Sequence, residues 1–270
     1  MTLELITRGP ADAATTERDS RPPLLFVHGL WHGAWCWAEK FLPFFAERGY
    51  SCTAMSLRGH GGSPGHDRLR RTRVRDHVQD VASVVSGLPA PPVLVGHSLG
   101  GFVVQKYLEQ HSAPAAVLLA AVPPTGAVQA TLRTVRQHPW PFLKANAQLR
   151  LAPLVATPEL ARESFFSASL PAADVARYQR QLQDDSYLTF LDMVALDLVR
   201  PKRVRRVPML VLGAADDALF SPAQVRRTGA AYGADTEVIA DLAHDMMLDT
   251  RWEVVAQRIA RWLGDRFPQP

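Results

Sequence analysis

The sequence predicts an α/β protein built on a doubly wound, mostly parallel sheet, and three observations predict it. Short apolar runs at 24–27, 93–95, 115–121 and 208–213 alternate with segments whose apolar residues recur at helical spacing, as buried parallel strands and their crossover helices do. The chain has 270 residues and is 47% hydrophobic, long for a small domain and short for two, which suits one large core with one insertion. The residues able to carry chemistry each fall just past a predicted strand, where an open parallel sheet gathers them at one edge.

Composition narrows the function. The formal net charge is +4, and its excess lies largely in Arg68-Leu69-Arg70-Arg71-Thr72-Arg73-Val74-Arg75 and in residues 200–206. Without aromatic interleaving or a nucleic-acid motif these read as solvated faces, the sharper alternative being an anion-facing patch for an acidic substrate or carrier. No nucleic-acid partner is expected. No apolar run approaches a membrane span and the first residues show no leader, so a cytoplasmic protein without membrane association is expected. The two cysteines, Cys36 and Cys52, lack metal or redox spacing and read as reduced core thiols.

In chain order, residues 2–7 read as an edge strand and 9–23 as polar loop. Residues 24–27 read as a buried strand ending in His28-Gly29-Leu30-Trp31-His32-Gly33-Ala34-Trp35-Cys36-Trp37. A helix over 37–48 closes at Gly49, and residues 51–55 form the next strand. The glycine-rich turn Leu57-Arg58-Gly59-His60-Gly61-Gly62-Ser63 lacks the lysine of a phosphate loop. A helix over 74–88 precedes the strand at 93–95, and 115–121 is a further strand. From residue 123 to about 207 the chain shows helical patterns broken by prolines and no strand, an insertion whose length suits a functional lid. Its Trp140, Phe142, Leu143, Phe165, Phe166, Tyr178, Tyr187, Phe190 and Met193 are expected to divide between its own packing and an apolar roof. The sheet resumes at 208–213, a helix runs to Gly229, 236–240 is the last strand and 250–266 the last helix.

Gly96-His97-Ser98-Leu99-Gly100 sits between strand and helix. Glycines two residues either side of a serine permit a sharp turn that lifts its hydroxyl above the sheet, and the helix start aims free amides at it. The bland alternative is a tight turn whose serine caps the helix. Gly29 and Gly33 permit a path that turns the Leu30 N–H towards Ser98, giving two candidate oxyanion donors, the amides of Leu30 and Leu99. Asp216, Asp217 and His244 follow later strands. His97, pointing away from the nucleophile, is read as packing or orientation; for His28 and His32 packing around the glycine-rich turn is the bland alternative; Asp241 and Asp245 are read as surface or capping residues.

Serine, aspartate and histidine in this order, each after a strand, resemble the serine-nucleophile branch of the α/β-hydrolase superfamily, and nearly the whole chain fits. The resemblance implies an α/β-hydrolase core over 1–122 and 208–270 and a helical cap over 123–207, inserted after the sixth strand. The opening decapeptide from His28 is similar to that of methyl esterases and hydroxynitrile lyases. Those lyases carry a threonine by the oxyanion residue and a lysine after the catalytic histidine; here Leu30 and Asp245 stand instead, which disfavours cyanohydrin cleavage. Gly213-x-x-Asp216 resembles the family's acid turn, so Asp216 is preferred over Asp217. The resemblance thus implies a triad of Ser98, Asp216 and His244. It needs no metal or organic cofactor and acts on a small-to-medium apolar ester, in a monomer or homodimer. Thioesterase chemistry, or a lyase, acyltransferase or cyclase on the same scaffold, is the alternative.

Overall fold

Seven strands form one sheet in the order β1-β3-β2-β4-β5-β6-β7. These are β1 (Leu5–Arg8), β2 (Leu24–Val27), β3 (Cys52–Met55), β4 (Val93–His97), β5 (Ala116–Leu119), β6 (Met209–Ala214) and β7 (Asp235–Ile239). β1 is an antiparallel edge on β3; every other pairing is parallel. This computed structural model describes residues 2–10 and 21–268, so most of the loop read over 9–23 lies outside the described residues.

The period-two alternation of a strand divides its side chains between two cores. Leu24, Phe26, Val93 and Val95 pack with Trp37, Phe41, Phe45 and Trp262 on one face. Leu25, Val27 and Leu94 pack with Val81, Phe102 and Val103 on the other. The first face is covered by α1 (Trp35–Ala38), α2 (Phe41–Ala46) and α11 (Trp252–Arg266), the second by α3 (Val74–Gly87), α4 (Leu99–Leu108) and α10 (Pro222–Tyr232). Cys36 and Cys52 are buried and free.

The helix expected over 37–48 is two short ones. Pro43 has no N–H to give and would clash inside one continuous helix. The chain therefore restarts at Lys40, which places Pro43 in the first turn of α2, where a missing donor costs nothing. Gly49 then closes the segment at φ +86°.

The helical insertion leaves the sheet after β5, the fifth strand in chain order among the described residues, not after a sixth. It comprises α5 (Val128–Gln137), α6 (Pro139–Gln148), α7 (Pro158–Phe165), α8 (Ala172–Gln179) and α9 (Tyr187–Leu191), with a π-helical turn over Asp192–Leu196. Arg73, one of the arginines read as solvated, instead donates Nε to both oxygens of buried Asp192 in this insertion, at 2.9 and 2.7 Å. Lys106 Nζ reaches Asp197 at 2.8 Å and Arg177 reaches Glu39, so the insertion is tied to the core at several points.

The strand order reverses between β2 and β4, which opens a crevice at their carboxyl ends. Ser98 sits there at φ 51°, ψ −116°, a conformation a residue with a side chain holds only under constraint. Its surroundings supply the constraint. The Ser98 N–H donates to Leu119 O, while its own carbonyl accepts from Phe102 and Val122. A Cβ at Gly96 would lie 2.6 Å from the Gly100 carbonyl oxygen, and one at Gly100 would strike the carbonyl oxygens of Val27 and His28. Gly100→Ala is therefore expected to cost about 1–3 kcal/mol, the range for forced overpacking. Urea denaturation checks this, and an unchanged midpoint would contradict it.

Candidate active site

The parallel strands bring four loops to the crevice: residues 28–34 after β2, Ser98 after β4, 215–221 after β6 and 240–249 after β7. Ser98 is almost buried at 6% exposure and starts α4. His244, 1% exposed, donates Nδ1–H to Asp217 Oδ2 at 2.9 Å. This hydrogen bond fixes the tautomer and leaves Nε2 without a protein partner among the described residues, its lone pair free to accept a proton.

The structure thus places Asp217, not Asp216, against His244. β6 runs through Ala214, paired with Ile239, one residue beyond the Gly213 from which the acid turn was counted. The Asp216 N–H then pairs with Leu242 O and its side chain faces solvent, while Asp217 turns inward. Asp217 Oδ1 accepts from the amides of Leu219 (2.7 Å) and Phe220 (3.0 Å), locking the carboxylate in place. Flanking burial, legible only once the strand end is known, distinguishes the two acids.

The turn after β2 is held by its own histidines. His28 Nε2 accepts from Leu57 N–H at 3.0 Å, which leaves Nδ1–H to donate to Gly29 O at 2.8 Å. That carbonyl belongs to the peptide whose N–H is Leu30's. Among the described residues no protein acceptor takes the amides of Leu30 or Leu99, consistent with their reading as a pair of donors. Gly29 lies so close to Ser98 that a Cβ on it would be 2.9 Å from Ser98 Cβ. His97 Nε2 donates to the His244 carbonyl at 3.0 Å, the orienting contact of the serine's neighbour.

A profile of the Alpha/beta hydrolase family matches residues 24–258. The chain belongs to the alpha/beta hydrolase family. This hydrolase is 26% identical over 216 residues to Methylesterase 18 of Arabidopsis thaliana, a match covering 73% of this chain and 80% of that one. It is 40% identical over 111 residues to a non-heme haloperoxidase of Rhodococcus erythropolis, a match spanning 38% of each chain. Among solved structures, BpoC of Mycobacterium tuberculosis, described as a non-heme bromoperoxidase, superposes with a TM-score of 0.73 at 21% identity, covering 98% of this hydrolase and 97% of BpoC. The monoacylglycerol lipase of Paleococcus ferrophilus gives 0.72 at 22% identity, covering 98% and 100%. These two likenesses are of fold.

Ser98 opens into a narrow pocket of about 60 Å³ whose walls are apolar: Val122, Phe142, Leu154, Phe190, Met193 and Phe220 among them. Besides Ser98, its hydroxyls, those of Thr131 and Thr134, donate back to Ala127 O and Ala130 O, so the side chains around the serine offer no charge. Of the aromatic residues expected to divide between packing and roof, Phe142 and Phe190 line the pocket, Phe166 stacks on Tyr178, and Trp140 is 77% exposed. A wider surface cleft carrying Lys202, Arg205 and Arg206 shares none of the site's residues.

Asp245, read as a surface or capping residue, is fully buried: its Oδ2 accepts from His32 Nε2 at 2.9 Å. Asp185 of the insertion accepts from His60 Nε2, also at 2.9 Å, in an equally buried pair. Burial disfavours each imidazolium, but the facing carboxylate's charge and hydrogen bond outweigh it, so His32 and His60 are held above the usual histidine value. Burial likewise opposes each carboxylate, and the facing histidine outweighs it, so Asp245 and Asp185 are held below theirs. His28 has no hydrogen bond to a carboxylate among the described residues, and His97 lies only within 3.7 Å of Asp245 Oδ1, too far to offset its burial. Burial and a neighbouring histidine push both down, His97 to about 3.

The pairs give stability a pH signature. His32 and His60 bind more protons folded than unfolded, so their contribution is complete below about pH 6.5 and is lost as pH rises through the raised values. The aspartates' contribution is present above about pH 4 and lost as pH falls through the depressed values. Asp245 is faced also by His97 and His244, and Asp185 by His77. The wild-type Tm should therefore fall with rising pH above about 6.5, and His32→Gln should flatten that fall. Parallel curves for the two proteins would contradict the assignment.

Proposed function

We propose that this hydrolase cleaves small-to-medium, fairly apolar carboxylic esters through Ser98, His244 and Asp217, by way of an acyl-enzyme. The observation that carries the reading is the strained Ser98 turn opening into an uncharged apolar pocket, with the bonded His244–Asp217 pair in the loops beside it. His244 Nε2 takes the Ser98 proton as Oγ attacks the ester carbonyl. Asp217 keeps the imidazole in the required tautomer and stabilises the imidazolium. The amides of Leu30 and Leu99 receive the tetrahedral oxyanion, an effect worth roughly 3–4 kcal/mol per donor in a known enzyme. His244 returns the proton to the leaving alcohol, and water, deprotonated by the same nitrogen, releases the acid. No step calls on a metal or organic cofactor, and the partner is the small-molecule substrate.

Likeness to proteins named Methylesterase 18 and, from Raphanus sativus, pheophorbidase supports ester chemistry. A second reading, a non-hydrolytic reaction on the same scaffold, is favoured by 35% identity over 107 residues to Norfluorocurarine synthase 1 of Strychnos nux-vomica, a match spanning 37% of this chain and 38% of that one. The first reading is preferred because the proposed triad and oxyanion donors need nothing but water to complete turnover.

Intact-protein mass after a fluorophosphonate, with turnover of p-nitrophenyl esters from acetate to decanoate, tests the proposal. One adduct in wild type, none in Ser98→Ala, and a chain-length optimum are expected. Labelling without ester turnover favours the second reading, and no labelling overturns the first. Asp217→Asn should lower kcat by about 10²–10⁴-fold, since it spoils the tautomer, while Asp216→Asn stays near wild type. The reverse pattern would return the acid role to Asp216.

A further inference from the structure

We propose that Asp185 of the helical insertion is a positioning residue for the oxyanion hole, holding the Leu30–Trp31 peptide from one side while His32 holds it from the other. The inference rests on the reading of Ser98 as nucleophile and Leu30 N–H as oxyanion donor.

The contacts converge on a single peptide unit. Its carbonyl oxygen, Leu30 O, accepts from His32 Nδ1 at 2.7 Å. Its N–H, that of Trp31, donates to Asp185 Oδ2 at 2.8 Å. The peptide is trans, so the two groups pull from opposite sides. Each is anchored deeper in the protein. His32 Nε2 donates to Asp245, the residue after His244, and Asp185 Oδ2 also accepts from His60 Nε2 in the glycine-rich turn. His32, Asp245, His60 and Asp185 are all within 1% of complete burial, so the pairs are not competed away by water.

The peptide needs holding. Trp31 stands at φ +65°, a left-handed conformation that a bulky side chain does not adopt unless its surroundings impose it. The insertion imposes it at three points. Beside the Asp185 contact, Gln183 N–H donates to Trp31 O at 3.0 Å, and Trp31 Nε1 donates to Leu151 O at 3.2 Å. Rotation at residues 30–31 would swing the Leu30 N–H away from Ser98. The oxyanion hole is thus complete only while the segment around Asp185 is seated on the core, and opening of the insertion would disassemble it.

The test compares Asp185→Asn, His32→Gln and Arg177→Ala. Asn keeps the shape of Asp185 but presents an NH₂ to donors that need an acceptor: Trp31 N–H, His60 Nε2–H and Ser186 N–H. Arg177 ties the insertion to Glu39 at a site with no contact to the turn, so its loss reports general loosening. Readouts are kcat and KM on the best p-nitrophenyl ester, and the inhibition constant of a trifluoromethyl ketone carrying the same acyl chain, whose adduct with Ser98 bears the oxyanion.

Asp185→Asn and His32→Gln should each lower kcat about 10- to 100-fold, the scale of an ångström-sized misplacement, and weaken the ketone in parallel, with KM little changed. Arg177→Ala should leave both near wild type. A normal kcat in folded Asp185→Asn, a loss confined to KM, or equal losses in Asp185→Asn and Arg177→Ala would overturn the proposal. If Asp185→Asn does not fold by near-UV circular dichroism, His32→Gln decides by the same criteria. Wild type that no fluorophosphonate labels would instead bring down the reading of Ser98 itself.

Discussion

The contact on which the site depends is the approach of α4 to the end of β2, with Gly100 against the carbonyl oxygens of Val27 and His28. No side chain fits between them. That approach lets β4 turn straight into a helix and forces Ser98 into its positive φ. It also sets the serine beside the turn that carries the Leu30 amide. The strand order does the rest, because β2 and β4 are neighbours at the reversal point and β5, β6 and β7 follow outward in sequence. Asp217 and His244, 119 and 146 positions from Ser98 in the chain, are thereby delivered to the same edge of the sheet.

A second constraint is electrostatic. Burying a carboxylate or an imidazolium alone is prohibitive, and burying the two together costs less the more of their remaining hydrogen-bonding positions are filled. Here the remaining nitrogens of His32 and His60 donate to backbone carbonyls, Leu30 O and Arg58 O, so each pair also fixes a piece of loop. Removing one partner of such a pair typically costs about 3–5 kcal/mol, which makes these pairs rigid anchors. The two pairs flank the turn that carries Leu30, one reaching the loop of His244 and the other the helical insertion. Loop, insertion and turn are therefore tied together, although the chain segments that build them are far apart.

Much of this was legible in the sequence. The apolar runs gave the strands because parallel strands are buried on both faces and tolerate little else. The strand-to-helix turn at Ser98 and the place of His244 past the last strand were readable because glycine spacing and position after a strand are local signals. Asp217 was misread as Asp216 because the choice hangs on one residue of strand length: Ala214 still pairs with Ile239, and every side chain beyond it changes face. Asp245 was misread for a different reason. Its partner His32 lies 213 residues away, and nothing near Asp245 in the chain announces burial. The same holds for Asp185 and for the division of the insertion's aromatics between packing and pocket, which only the docked arrangement of helices settles. Lys40 and Pro43 show the limit of periodicity, where a helical pattern continues across a residue that breaks the helix.

The most direct measurement is a crystal structure of the wild-type protein phosphonylated by a fluorophosphonate. A phosphonyl group on Ser98 Oγ, with its oxygen within hydrogen-bond distance of both the Leu30 and Leu99 amides, its alkyl arm among Phe142, Phe190 and Met193, and Asp217 still bonded to His244, is the predicted result. A phosphonyl oxygen turned to solvent, or Asp216 in place of Asp217 against His244, would contradict the site as described.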